Sequence, residues 1–185
     1  MAQSKYIKSV QDAARGRPKS TAWYQDKIKE FGKPGAQDLI RDGKRSSAPF
    51  YGRLNMFFYN PKHKKTLPYY DTFPLVLPLE SYSDGFLGIN FHYLPVGLRM
   101  RLLDRLVDFS NNVKFDESTK LIVNYKKVQK INLIRPTIHK YLKGYTMSQF
   151  RRIDADEFTI ATLLPVQRFK KASDKEVWKE SRGMI

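Results

Sequence analysis

The 185-residue sequence carries 34 Lys and Arg against 18 Asp and Glu, a net charge of +16, with 41% hydrophobic and 14% aromatic residues. That apolar content supports one packed domain, and the charge predicts an anionic partner: nucleic acid, an anionic surface or an acidic protein face. With no cysteine, disulfides, Cys-ligated zinc, iron–sulfur clusters and thiol nucleophiles are excluded, and no run approaches the roughly 18 apolar residues of a membrane span.

In chain order, Tyr6 to Ala14 predicts a short helix, interrupted by Gly16 and Pro18. Ser20-Thr21 offers the N-cap of a second helix with Trp23, Ile28 and Phe31 as its apolar stripe. Ala36 to Asp42 adds a further helical turn before a basic, Ser-containing linker. Leu54 to Tyr59 reads as a buried strand stopped by Asn60-Pro61. Phe73 to Leu79 reads as a strand that Pro74 and Pro78 would place at an edge. Phe86 to Tyr93 alternates as a third strand after the turn Ser83-Asp84-Gly85. Three short strands in so few residues suggest a small curved barrel.

Pro95 then opens an amphipathic helix with Leu98, Leu102, Leu106 and Phe109 on its apolar stripe, Arg99 and other charges on the remaining faces, and Asn111-Asn112 at its end. Ser118 to Lys130 and Pro136 to Lys143 predict two more helices, and Asp154 to Leu164 fits a helix or a strand. Lys170 to Ile185 reads as a polar tail. The expected fold class is α+β, a small SH3-like β-barrel flanked by N- and C-terminal helices. Its expected divisions are a basic helical arm and linker over 1–53, the barrel with packed helices over 54–169, and the tail over 170–185.

The charge is unevenly spread: 1–53 carries +7, 54–95 is neutral, and 96–185 carries +9. Three basic segments are candidates for nucleic-acid contact. Arg15-Gly16-Arg17-Pro18 resembles an AT-hook core, in which flat guanidinium groups enter a narrow minor groove; an interhelical turn is the plainer reading. The loop with Lys62, His63, Lys64, Lys65, Tyr69 and Tyr70 could bind phosphates and stack on bases, or pack its tyrosines on the barrel rim. The series Lys126, Lys127, Lys130, Arg135, Lys140, Lys143, Arg151 and Arg152 could neutralise several phosphates, or form a solvated face. Tyr69, Tyr70 and Phe73 are the candidate protein-interface residues.

Catalysis finds little support. Asp154, Asp156 and Glu157 are the only tight acidic cluster, at a spacing that suits a helix start better than a two-metal site. No phosphate loop, nucleophile elbow or paired-histidine motif is present, and no metal or cofactor is expected.

Two resemblances follow. Met56-Phe-Phe-Tyr-Asn-Pro, Phe73-Pro-Leu-Val-Leu and Gly85-Phe-Leu-Gly-Ile-Asn resemble the SH3-like barrel of MazF-type toxins. The catalytic arginine of that family has no counterpart, since Asp71, Thr72 and Phe73 stand there. Leu67-Pro-Tyr-Tyr-Asp-Thr-Phe-Pro-Leu-Val, Gly85-Phe-Leu-Gly-Ile-Asn-Phe-His-Tyr-Leu-Pro and Leu164-Pro-Val-Gln-Arg-Phe are similar to small basic proteins of T-even-like tailed phages, some of them described as DNA end protectors. That resemblance implies a particle component, found in the virion and, during assembly, in the host cytoplasm. The leading expectation is a non-enzymatic structural protein of the neck, tail or baseplate region. It would join other phage structural proteins in a symmetric assembly, with double-stranded DNA as a further partner and no membrane contact. The alternative is a DNA-end-binding protein that shields genome ends from exonuclease, and a third reading is a nuclease on a toxin-like barrel.

Overall fold

Ser20 starts its helix as the sequence predicts, its Oγ accepting from Trp23 N at 3.1 Å. The structure, a computed structural model, describes residues 5–110 and 120–185. Helix α1 (Lys5–Ala13) leads into a turn at Arg15 and Gly16, with φ of 53° and 66°. Helices α2 (Thr21–Phe31) and α3 (Ala36–Arg41) follow. Ile7, Val10, Ile28, Leu39 and Ile40 from these helices enter the same core as the strands, because an amphipathic stripe must bury itself somewhere. Of the expected α2 stripe only Ile28 is buried; Trp23 is half-buried and Phe31 exposed.

Strands β1 (Arg45–Ser46), β2 (Leu54–Met56), β3 (Tyr70–Asp71), β4 (Leu75–Tyr82) and β5 (Gly85–Asn90) come next. Helices α4 (Val96–Ser110) and α5 (Tyr125–Val128) separate them from β6 (Ile138–Leu142), β7 (Phe150–Ile153), helix α6 (Phe158–Leu163), β8 (Phe169–Lys170) and helix α7 (Asp174–Met184). Six strands form one antiparallel sheet in the order β1-β7-β2-β4-β5-β6, and β3 pairs with β8 apart from it. The α+β class therefore holds, but the expected SH3-like barrel is corrected to an open sheet ending at β1 and β6. The three predicted strands leave an unpaired edge on each side. Strands drawn from the C-terminal half, β6 and β7, cover those edges instead of the block closing on itself.

Both faces of the sheet are buried, as apolar runs without strict alternation require. Leu54, Met56, Leu75, Leu77, Ile89 and Ile153 meet the helices in one core. Phe57, Tyr59, Val76, Phe86, Tyr141 and Phe150 form a second, aromatic core on the other face. There Phe57 lies 4.7 Å from Phe150 and Phe86 stacks on Tyr141 at 5.4 Å, centroid to centroid. A bridge from Tyr59 to Thr146 pins the chain beyond β2 to the segment between β6 and β7.

Several expectations need correcting. β4 lies between β2 and β5 and is not an edge. Pro78 is tolerated there because β2 pairs only as far as Val76, and the β4–β5 register shifts at Pro78/Glu80. Ile138 to Leu142 is a strand because its β-branched and aromatic residues complete the β5 edge; the helical part of that stretch is the short 3-10 turn Asn132–Thr137. Gly85 permits the pairing, since a Cβ there would collide with the Tyr141 carbonyl. Arg99 is not on a solvated face of α4 but fully buried, while Phe109 is exposed. Burial lowers Arg99 to about 10, so it stays charged, and it donates to the carbonyls of Leu94 (2.8 Å) and Leu164 (3.2 Å) and to Gln167 Oε1 (2.9 Å). The segment expected as a polar tail after Lys170 contains a packed helix. Ser173 and Glu176 form a capping box that starts α7, and Trp178 Nε1 donates to His92 O at 2.9 Å. The helix end expected at Asn111-Asn112 and the start at Ser118 lie outside the described residues.

Asp71 joins these parts. Its buried carboxylate accepts from Phe73 N (3.0 Å), Arg168 N (3.1 Å), Asn90 Nδ2 (3.1 Å) and His92 Nδ1 (2.8 Å). Burial alone would raise its pKa; the His92 ring and the other donors outweigh that and hold it below the usual carboxylate value. Burial in turn lowers His92, which serves as a neutral ring donating Nδ1–H. A depressed folded pKa contributes stability above the unfolded value of about 4, and this is lost as pH falls through the folded value. Asp71→Ala strands several buried donors at about 1–3 kcal/mol each, so an overall loss of about 3 kcal/mol or more is expected in urea unfolding. Asp71→Asn should also flatten the acid limb of the stability–pH curve. An unchanged limb would remove Asp71 from this role.

Candidate nucleic-acid interface

A cleft of about 460 Å³ opens between the loop after β2, the start of β6 and the C-terminal end of α7. Lys62, His63, Tyr69 and Tyr70 line it from the loop and β3; Arg135, His139 and Lys140 line it from β6 and the residues before it. The loop side is shaped by local hydrogen bonds: Lys64 N donates to Pro61 O at 3.3 Å and Thr66 N to His63 O at 3.0 Å. Lys171 Nζ ties the loop down by donating to the carbonyls of Lys65 (3.1 Å) and Leu67 (2.8 Å). Pairing of Tyr70 with Lys170 fixes its backbone.

The aromatic residues divide into wall and rim. Tyr69 packs edge-on to Phe169, lies 6.0 Å from Tyr93, and donates its hydroxyl to Glu180 Oε2 at 2.8 Å. Its pKa is pushed up to about 12, first by burial and then by the bond to Glu180. His139 lies 4.0 Å from Tyr93 and donates Nε2–H to Pro136 O at 3.1 Å. The packing around this half-buried ring lowers it to about 4, so it is neutral at physiological pH. Tyr70 differs: it is half-buried, with no ring partner and no hydroxyl hydrogen bond among the described residues.

The cations divide likewise. Lys62 and Arg135 are exposed, with no ion-pair partner among the described residues. Lys140 is exposed and held by Asp84 at 2.9 Å, with its ammonium 5.1 Å from the Tyr82 ring centre. Lys64 and Lys65 stand on the same loop outside the cleft, and Lys64 Nζ donates to Asn60 Oδ1 at 3.2 Å. Lys143 is exposed just beyond β6.

The other candidates do not meet at this cleft. Arg15 and Arg17 are exposed on the α1–α2 turn, and Lys126, Lys127 and Lys130 are exposed on and after α5. Arg151 is corrected: it is fully buried, donates Nη2–H to Glu157 Oε1 at 3.1 Å and Nε–H to Asp42 O at 2.7 Å, and cannot reach a phosphate. Arg152 is half-buried and paired with Asp154 at 2.8 Å. Phe73 is corrected as well. It is fully buried against Phe58, 4.9 Å between centroids, and offers no surface to a partner. The acids that a nuclease would need are occupied: Asp154 pairs with Arg53 at 3.1 Å, and Glu157 accepts from Asp154 N at 3.0 Å. Among the described residues no group of three or more His, Asp or Glu could hold a metal ion.

The grouping of Lys62 and Tyr70 with Arg135 and Lys140 was hidden in the sequence because 136–143 reads as a helix. As a strand paired to β5, it brings Lys140 to the cleft that the loop also lines. In this arrangement Glu180 locks Tyr69 and, through it, the α7 wall. Glu180→Gln should return the Tyr69 pKa toward the ordinary value of about 10, as followed by NMR of labelled tyrosine with Tyr69→Phe for assignment.

Comparison with known proteins gives one match. The family model described as Phage T4 terminal DNA protecting protein matches residues 3–181. No curated protein and no solved structure matches. The match agrees with the resemblance to T-even-like phage proteins. It overturns the leading expectation of a structural neck, tail or baseplate component and favours the alternative, protection of DNA ends. On a match across nearly the whole sequence, the chain belongs to the phage T4 terminal DNA protecting protein family.

Proposed function

We propose that this protein protects the termini of linear double-stranded DNA without catalysis, by seating a terminus at the cleft between the Lys62–Tyr70 loop and β6. The observation that carries this reading is the convergence of Lys62 and Arg135, neither with an ion-pair partner among the described residues, on an aromatic-walled cleft. Two free cations supply attraction to phosphate without sequence preference, which suits a protein that must hold any end. The aromatic walls supply contact area to base faces, which exist in every sequence. Occupancy of the terminus would then exclude an exonuclease by simple obstruction.

The surrounding charge fits the same reading. Lys64, Lys65 and Lys143 flank the cleft and would meet phosphates further along the duplex. The +16 net charge steers the protein to DNA over a long range at low salt. Arg15, Arg17, Lys126, Lys127 and Lys130 add to that field from other surfaces.

Protection of linear duplex DNA against a processive exonuclease tests the reading. The wild type should protect, and the double variant Lys62→Ala/Arg135→Ala should lose most protection at matched concentration. Because each lost phosphate contact lowers the salt slope by about 0.9, the double variant should reduce the slope of log affinity against log salt by about 2. Wild-type protection that survives the double change, with the same slope, would place DNA elsewhere on the molecule.

A further inference from the structure

We infer that the cleft takes a single unpaired nucleotide, so that the protein holds a DNA end by its frayed last residue rather than by the intact terminal base pair. This rests on the reading of the cleft as the site for DNA termini, and it specifies the form of the end that the cleft accepts.

Size is the first argument. About 460 Å³ lies in the range of pockets that enclose one small molecule, and a nucleotide is of that size. A terminal base pair with its two backbones is much larger and cannot enter. Paired DNA could only rest its outer base face across the mouth, without a base entering between the aromatic walls.

Chemistry is the second. Among the described residues Tyr70 has no ring partner, whereas the neighbouring Tyr69 is committed to Phe169, Tyr93 and Glu180. Its backbone is fixed by the β3–β8 pair, so the ring is presented from a held strand rather than a free loop. A ring placed this way is a stacking platform for one base. Lys62 and Arg135 line the same cleft from separate segments of the chain, without acid partners among the described residues, where they can meet the phosphates of a stacked nucleotide. The neutral His139 and the buried Pro136 add uncharged surface beside Arg135.

Energetics is the third. A terminal base is stacked on one neighbour rather than two, and extrusion is least costly for bases that are mismatched or already single-stranded. An internal base would have to be pulled from the stack on both sides. A cleft for one extruded nucleotide therefore selects ends over continuous duplex, without any feature that recognises sequence.

Competition binding with the full-length protein tests this on four otherwise identical short duplexes: blunt and matched, blunt with a terminal mismatch, carrying a one-nucleotide overhang, and with the last base pair covalently cross-linked. The mismatched and overhanging ends should bind about tenfold more tightly than the matched blunt end, because they escape the cost of opening a terminal pair, and the cross-linked end about tenfold more weakly, because it cannot stack at all. Tyr70→Ala should abolish the discrimination, while Tyr70→Trp keeps it, which separates stacking from a folding defect. Equal affinity for all four ends, by a protein that still protects linear DNA from exonuclease, would overturn the inference and leave the end-protection reading standing. A wild type that neither binds nor protects any linear duplex would overturn both.

Discussion

One buried carboxylate sets the geometry on which the cleft depends. Asp71 receives hydrogen bonds from the segment entering β4, the end of β5, the turn after it and the segment entering β8. These are the elements that place Tyr70 beside Lys170 and hold Tyr93 against His139. A charge in that position is tolerable only because its acceptor sites are filled by four donors from protein groups. The donors come from positions as far apart as Phe73 and Arg168 in the chain, so Asp71 couples the N-terminal half of the cleft to its C-terminal half.

A second buried charge plays the corresponding part on the helical side. Arg99 binds the carbonyls that end α6 and the side chain of Gln167, whose amide reaches Asp174 at the start of α7. Its guanidinium also lies 5.6 Å from the Trp178 ring centre. Through Arg99 the position of α7 depends on α4, and through Tyr69 and Glu180 the cleft wall depends on α7. The protein therefore keeps its free cations on the surface and spends its buried ones on architecture. Arg151 with Glu157 is a further instance.

Much of this was legible in the sequence, residue by residue. Ser20 capped the helix it was expected to cap, Pro95 preceded α4, and Ser83-Asp84 turned the β4–β5 hairpin. The acids at Asp154 and Glu157 opened a helical segment as their spacing suggested. Local signals of this kind survive because turns and caps are decided by a few adjacent residues. What was not legible depended on distant partners. Nothing near Ile138 shows that the β5 edge awaits it, so a short segment with a preceding proline looked helical. Arg99 and Arg151 looked like surface charges because burial of a cation depends on carbonyls and carboxylates elsewhere in the chain. Phe73 looked like an interface residue for the same reason. The candidate site is half legible: Lys62, His63, Tyr69, Tyr70, Arg135 and Lys140 stand out in the sequence, but only the fold shows that they share one cleft.

The central claim is that a DNA terminus meets the protein at this cleft, and photocrosslinking from the last nucleotide of a linear duplex tests it most directly. With a photoreactive base at the terminus, the crosslinked peptides should map to residues 61–71 and 135–142. Crosslinks confined to the Arg15–Arg17 turn or to Lys126–Lys130 would contradict the account and move the site to a surface where the cleft plays no part.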